Sequence, residues 1–477
     1  MFSIKISIKK IVFVSGCLLL GIGLFAQTVN LKLQKAFQQF ENDTQLKFAI
    51  SSLYVIGAKT GKVVFDKNSS IGLAPASTQK IITSATAFEL LGSNYRYKTF
   101  FYLDGKINKD TLFGNLIIKG TGDPTFGSPR FQGTDRATIL EAIGKMLNAK
   151  HINFIDGNVV IDETNFESNT TPDGWIWQDI GNYYGAGAGA LNWNENQYDL
   201  ILKPGLKEND DVKIIRTEPD LQSFSLVNEL TTGSKGSGDN AYIYLVPYST
   251  NGFVRGTIPP GFKEFPISGS IPVPSSQFLY ELQKKLDELN IKVNGKFTNS
   301  LEYKSSKQAF KYDETPFNFL ISPSLDSMVY WFLKKSINLY GEALLKTIAY
   351  EQNGFGSTDS GVDIVKDFWR QKGIDAHELN ISDGSGLSPQ NRVTTHAQVE
   401  VLKYAKTKVW FPYFYDALPE YNNMKMKSGT IRDVKGFCGY QKAKNGKEYI
   451  FSFLVNNYNG STSLLVNKMF KILDNLK

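Results

Sequence analysis

The chain has 477 residues and a formal net charge of +7, with 42% hydrophobic, 13% aromatic and 21% charged residues. That balance excludes a disordered or fibrous protein, and at roughly 100–200 residues per domain it leaves room for two to four domains. The two cysteines, Cys17 and Cys438, exclude a disulfide framework, and His151, His377 and His396 lie too far apart in sequence for a His/Cys zinc site.

Lys5, Lys9 and Lys10 precede an uncharged apolar run from Ile11 to Phe25, which ends at Ala26 and the polar Gln27. This pattern predicts a secretory signal peptide over residues 1–26, and the run is shorter than the ~20 residues a membrane span needs. Val14-Ser15-Gly16-Cys17 imitates a lipoprotein box, but the apolar run continues past Cys17. Loss of the three lysines leaves a mild basic excess with no Lys/Arg stripe, so no nucleic-acid partner is expected. Export of this kind is compatible with peripheral contact with a membrane.

Leu31, Leu33, Ala36, Phe37 and Phe40 have helical spacing. Strands are expected at Phe48–Val55 and Lys62–Phe65 around a turn at Ala58–Gly61. Pro75-Ala76-Ser77 opens a helix whose buried stripe is Ile81, Ile82, Ala85, Phe88 and Leu91, and Gly92 ends it. From Tyr95 to Ser270, short alternating runs separated by Gly, Pro, Asn and Asp predict a β-rich segment, interrupted by one helix around Ala137–Ala149. Helices return from Pro274, around Leu279–Leu289, Leu325–Leu333 and Ala343–Ile348. The chain then reads strand (Met424–Ile431), strand (Gly436–Gln441), turn, strand (Tyr449–Asn456) and helix (Leu464–Leu476). The organisation is α+β: a helix-and-sheet domain, 27–94 and 272–477, split by a β-rich insertion, 95–271. Its first hairpin and last strands are expected to share one antiparallel sheet.

Ser77-Thr78-Gln79-Lys80 carries the chemistry. Residues i and i+3 of a helix lie on one face, which brings the Lys80 amine to the Ser77 hydroxyl. A serine needs a base to become a nucleophile, and a lysine serves only when burial or a neighbouring positive charge depresses its pKa. Alone the motif is weak, because Ser7-Ile8-Lys9-Lys10 repeats it and a serine N-cap beside a solvated lysine is the favoured reading of an isolated match. Ser336-Ile337-Asn338 falls at a helix junction, and Lys427-Ser428-Gly429-Thr430 lies on a strand whose edge can align an extended peptide. These too have copies elsewhere, at Ser249-Thr250-Asn251 and Lys59-Thr60-Gly61. The ordered set of three is far more specific than any member.

At these motifs the chain resembles penicillin-binding proteins and class A β-lactamases. More narrowly, it resembles the class C low-molecular-mass penicillin-binding proteins of the D-alanyl-D-alanine carboxypeptidase/endopeptidase (PBP4 or DacB, peptidase S13) type, in which a long insertion separates the first two motifs. Here Ser77 and Ser336 are 259 residues apart. Gly120–Thr125, Ile155–Val159 and Asp383–Ser388 also match, whereas Ser428 stands where threonine is more usual.

The resemblance implies a β-lactamase-like transpeptidase domain with two inserted subdomains. By it, Ser77 is acylated and Lys80 is its base. Ser336 and Asn338 relay protons and hold the peptide, Lys427 and Ser428 bind the terminal carboxylate, and the Ser77 and Thr430 N–H groups form the oxyanion hole beside Gly429. Asp162 matches a position that meets the amino end of the stem-peptide side chain. The partners would be peptidoglycan stem peptides and β-lactams, and the chemistry needs no cofactor. The alternatives are a β-lactamase or esterase on the same fold, or a catalytically silent wall-binding protein. The long insertion opposes the first, Ser336 in place of a tyrosine opposes the second, and the intact Ser77/Lys80 pair opposes the third.

Overall fold

The computed structural model describes residues 29–222, 224–301, 312–313 and 315–477. The expected signal peptide, Cys17 and the Ser7–Lys10 copy lie outside them. Among the described residues no helix is long and apolar enough to cross a membrane.

The first hairpin and the last strands do share a sheet. Six antiparallel strands run in the order Glu420–Tyr421, Met424–Ile431, Val434–Lys442, Glu448–Asn456, Ile50–Gly57, Val63–Lys67. The two chain ends are joined by the pairing of Ile50–Gly57 with Glu448–Asn456. Side chains alternate across a strand, and both faces here are apolar. Leu53 and Val55 point into one core with Phe451, Phe453 and Val455, while Tyr54 and Ile56 point into the other with Ile450. The terminal helices, residues 29–41 and Thr462–Leu473, cover the first face through Leu33, Phe37, Phe40, Leu465 and Met469. Helices Lys80–Leu90, Leu325–Lys335, Asn338–Asn353, Thr358–Gln371 and Thr395–Ala405 pack over the second. The last two were not expected from the sequence.

Two further units follow helix Lys80–Leu90. A seven-stranded sheet is built on Lys98–Asn108 and Thr111–Lys119 and packs against helices Arg136–Ala149 and Pro274–Glu288. Two three-stranded sheets, one containing Gln197–Lys203 and the other Asn251–Ile258, enclose a smaller core.

The boundary expected at 271/272 does not describe this packing. Strands Lys292–Val293, Phe297–Asn299 and Asn318–Ile321 complete the seven-stranded sheet, and Phe278, Leu279, Leu282 and Leu286 bury in its core. The chain rejoins the helices of the main sheet at Leu325. Helical texture at Pro274 marked a change of element, not of core.

Candidate active site

Pro75 precedes a tight 3-10 turn, Ala76–Gln79, which leads directly into helix Lys80–Leu90. In a 3-10 turn residues i and i+3 eclipse, so Lys80 Nζ lies 3.0 Å from Ser77 Oγ. Ala76 holds φ +46°, a conformation that costs energy outside glycine. The surroundings impose it: a Cβ on Gly386 would sit 2.0 Å from Ala76 O, and one on Gly429 would sit 2.6 Å from Pro75 O and 2.9 Å from Ser77 N. Gly429 therefore permits the strand to lie against the turn that carries Ser77, and no side chain fits there.

Lys80 is fully buried. Besides Ser77, its amine donates to Asn338 Oδ1 at 2.6 Å and to Ser385 O at 2.8 Å. Burial, followed by the nearby Lys427 charge, drives the Lys80 pKa well below its ordinary range, against the opposing pull of Asp383 and Glu342. The amine is thereby poised to accept a proton.

Helix Leu325–Lys335 stops because Ser336 adopts the left-handed conformation, φ +59°, and the next helix starts at Asn338. Asn338 Nδ2 donates to Tyr184 O at 2.7 Å, so an inserted segment helps orient it. Ser336 lines the cleft with Ser77 and Asn338, but among the described residues its hydroxyl has no bond to either Ser77 or Lys80.

On strand Met424–Ile431, Lys427 is 1% exposed and donates to Ser428 O at 2.8 Å. Burial pushes its pKa down to about 7, with a further lowering from Lys435. It sits behind the wall rather than among the lining side chains, whereas Thr430 lines the cleft and accepts from Lys435 Nζ at 2.7 Å. Ser428 Oγ is 3.3 Å from the Tyr421 hydroxyl. The cleft holds about 1090 Å³. Ser77 and Ser336 meet Arg130, Asp179, Tyr184 and Arg432 there.

Asp162 requires a correction. It is 2% exposed on strand Val159–Asp162, and its carboxylate accepts from the Thr164 N–H and hydroxyl and from the Tyr312 hydroxyl. It does not line the cleft; it closes a strand-end turn. The carboxylate on the cleft wall is Asp179, whose pKa is raised by burial against a hydrogen bond from Tyr184. Asp179 follows Trp175-Ile176-Trp177-Gln178, an aromatic stretch whose place beside the cleft depends on long-range packing. The Ser249–Asn251 and Lys59–Gly61 copies occupy a local turn and a hairpin turn away from the cleft lining.

Sequence reasoning also missed how Asp383-Gly384-Ser385-Gly386 contributes. Asp383 accepts from Gln79, Trp175, Asn391 and the N–H groups of Gly386 and Ser388. It organises a loop whose Ser385 carbonyl forms one wall of the lysine site. A run of small and turn-forming residues was the available signal.

The D-Ala-D-Ala carboxypeptidase 3 (S13) family matches residues 33–475. The D-alanyl-D-alanine carboxypeptidase DacB of Haemophilus influenzae is 22% identical, over 93% of this chain and 92% of its own. A D-alanyl-D-alanine carboxypeptidase of Actinomadura sp. (strain R39) is 25% identical, over 91% and 83%. The crystal structure of penicillin binding protein 4 (dacB) from Haemophilus influenzae superposes with a TM-score of 0.78 at 21% identity, covering 93% of this chain and 99% of that one. The same protein complexed with a β-lactam gives 0.71. The fold is therefore that of penicillin binding protein 4, and with a match spanning nearly all of its described length the chain belongs to the D-Ala-D-Ala carboxypeptidase 3 (S13) family.

Proposed function

We propose that the chain is a serine-type D-Ala-D-Ala carboxypeptidase/endopeptidase that cleaves peptidoglycan stem peptides through a Ser77 acyl-enzyme and is acylated by β-lactams. The observation that carries this is the fully buried Lys80 amine, 3.0 Å from Ser77 Oγ. Ser77 Oγ attacks the carbonyl of the terminal D-Ala–D-Ala bond while its proton passes to Lys80 Nζ. Asn338 Oδ1 and Ser385 O accept from the resulting ammonium. The Ser77 and Thr430 N–H groups are assigned to the oxyanion. Lys80 returns its proton to the departing amine, and water then hydrolyses the ester. Ser336 supplies a hydroxyl along that proton path. Lys427 and Ser428 are assigned to the substrate carboxylate, with charge acting from behind the wall. Mass spectrometry after incubation with penicillin tests the reading: one stoichiometric acyl adduct is expected, and an unmodified mass would refute it.

Asp179 replaces Asp162 as the group assigned to an amino terminus on the stem-peptide side chain, because it presents a carboxylate in the cleft. Asp179→Asn should raise KM about tenfold for a stem peptide with a free side-chain amine. The same variant should leave the N-acetylated peptide and penicillin acylation unchanged. An equal loss on all three would assign Asp179 to the fold.

Residues 1–26 are read as a signal peptide, which would place the enzyme outside the cytoplasmic membrane, in the periplasm of a two-membrane cell. The secreted chain should begin at Gln27 on N-terminal sequencing; a lipid-modified Cys17 would contradict this.

A further inference from the structure

Glu342 is a second ionisable group buried beside the catalytic pair. It is 1% exposed and lies one turn after Asn338 on helix Asn338–Asn353. Its Oε2 accepts the Gly384 N–H at 2.9 Å, while its Oε1 is buried with no hydrogen-bond partner among the described residues. The residue after Gly384 supplies the carbonyl that holds Lys80, and Gly384 O accepts from Thr83 on the nucleophile helix at 2.6 Å. The segment is thus clamped between the two helices. Backbones touch there: a Cβ on Gly384 would lie 2.2 Å from Gly341 O.

We propose that Glu342 is a positioning residue for Lys80: it anchors the Gly384–Ser385 segment that holds the amine, and it retains a proton of its own so that the working site pairs a neutral lysine with a neutral carboxyl. The inference rests on the acyl-enzyme reading above and adds a residue to it. A buried carboxylate in contact with the segment would favour the Lys80 ammonium, which cannot take the proton of Ser77. Burial and the neighbouring Asp383 push the Glu342 pKa up to about 8, in keeping with a protonated acid at neutral pH. The other charged groups facing it are accounted for. Lys80 lies across the loop, and Asp383 is held by five donors. Lys346, one turn further along the same helix, is paired with Glu167 at 3.1 Å. Lys427 acts on Lys80 from the strand.

The test is the pH dependence of acylation by a fluorescent penicillin, measured on the full mature chain. Glu342→Gln keeps the acceptor for Gly384 but cannot ionise. The acidic limb should stay at its wild-type position, because a carboxyl that already holds its proton where Lys80 titrates puts no charge beside the ammonium for the amide to remove. Glu342→Asp keeps the acid but withdraws it from Gly384. Its plateau rate should fall about tenfold while the limb stays near its wild-type position. A Glu342→Gln limb displaced to lower pH overturns the proposal, since only a Glu342 ionised in the wild type would have been holding the Lys80 ammonium. If Glu342→Gln does not fold, Glu342→Asp decides, and a wild-type plateau rate then overturns it. A wild-type chain that penicillin fails to acylate would instead refute the acyl-enzyme reading itself.

Discussion

Replacing Ser77 with alanine is expected to abolish covalent penicillin labelling and to cut D-Ala release by a factor on the order of 10⁴–10⁶, while the protein stays folded. Ser77 is half-buried at the cleft floor, and among the described residues its hydroxyl is bonded to Lys80. Its removal deletes the proposed nucleophile without opening a core cavity. Lys80→Ala should approach the same loss, because no other amine lies at that hydroxyl among the described residues. The measurement is adduct mass and labelling rate, with far-ultraviolet circular dichroism as the control for folding. Ser249→Ala and Lys59→Ala, in the two copied motifs, should label at the wild-type rate. Normal labelling of Ser77→Ala would move the nucleophile elsewhere and dismantle the proposed mechanism.

Lys427→Ala is expected to lower kcat/KM on D-Ala–D-Ala peptides by about 2–4 kcal/mol, or roughly 30- to 1000-fold, and to slow β-lactam acylation similarly. A neutral thioester without the carboxylate should lose less. The pH dependence adds a sharper sign. The empty protein holds Lys427 with a pKa of about 7 because burial disfavours its charge. Below that pH the ammonium is present; above it the amine is neutral, and a bound carboxylate must draw a proton in. KM for carboxylate substrates should therefore rise above pH 7, and the thioester KM should stay flat. Lys427 also depresses the pKa of Lys80 through its charge. If both substrate classes lose equally, that second effect is the dominant one, and the carboxylate assignment should be withdrawn.

The chain's own order of residues determined the elements that local physics controls. The hairpin Ile50–Lys67, helix Lys80–Leu90 and the strands from Met424 onward follow from alternating and helical apolar spacing punctuated by turn residues. The Ser77–Lys80 contact followed too, because three residues at a helix start suffice to bring the two together. The ordered motifs pointed to the family for the same reason: each sits on an element that its neighbours specify.

Long-range packing decided the rest. Asn338 reaches Lys80 from 258 positions away, and Ser385 O from 305. Only the folded chain removes the water that would keep Lys80 and Lys427 at ordinary lysine pKa values. Asp162 and Asp179 look alike in sequence, each an acid near aromatic or apolar neighbours. Tertiary contacts bury one in a turn and leave the other on the cleft wall. The end of the insertion was illegible for a related reason: the helix at Pro274 has the same apolar periodicity whichever core receives it, and only the partner surface, the sheet around Leu116 and Ile161, says where it belongs. Periodicity reports that a face will be buried; which face meets it is a property of the whole chain.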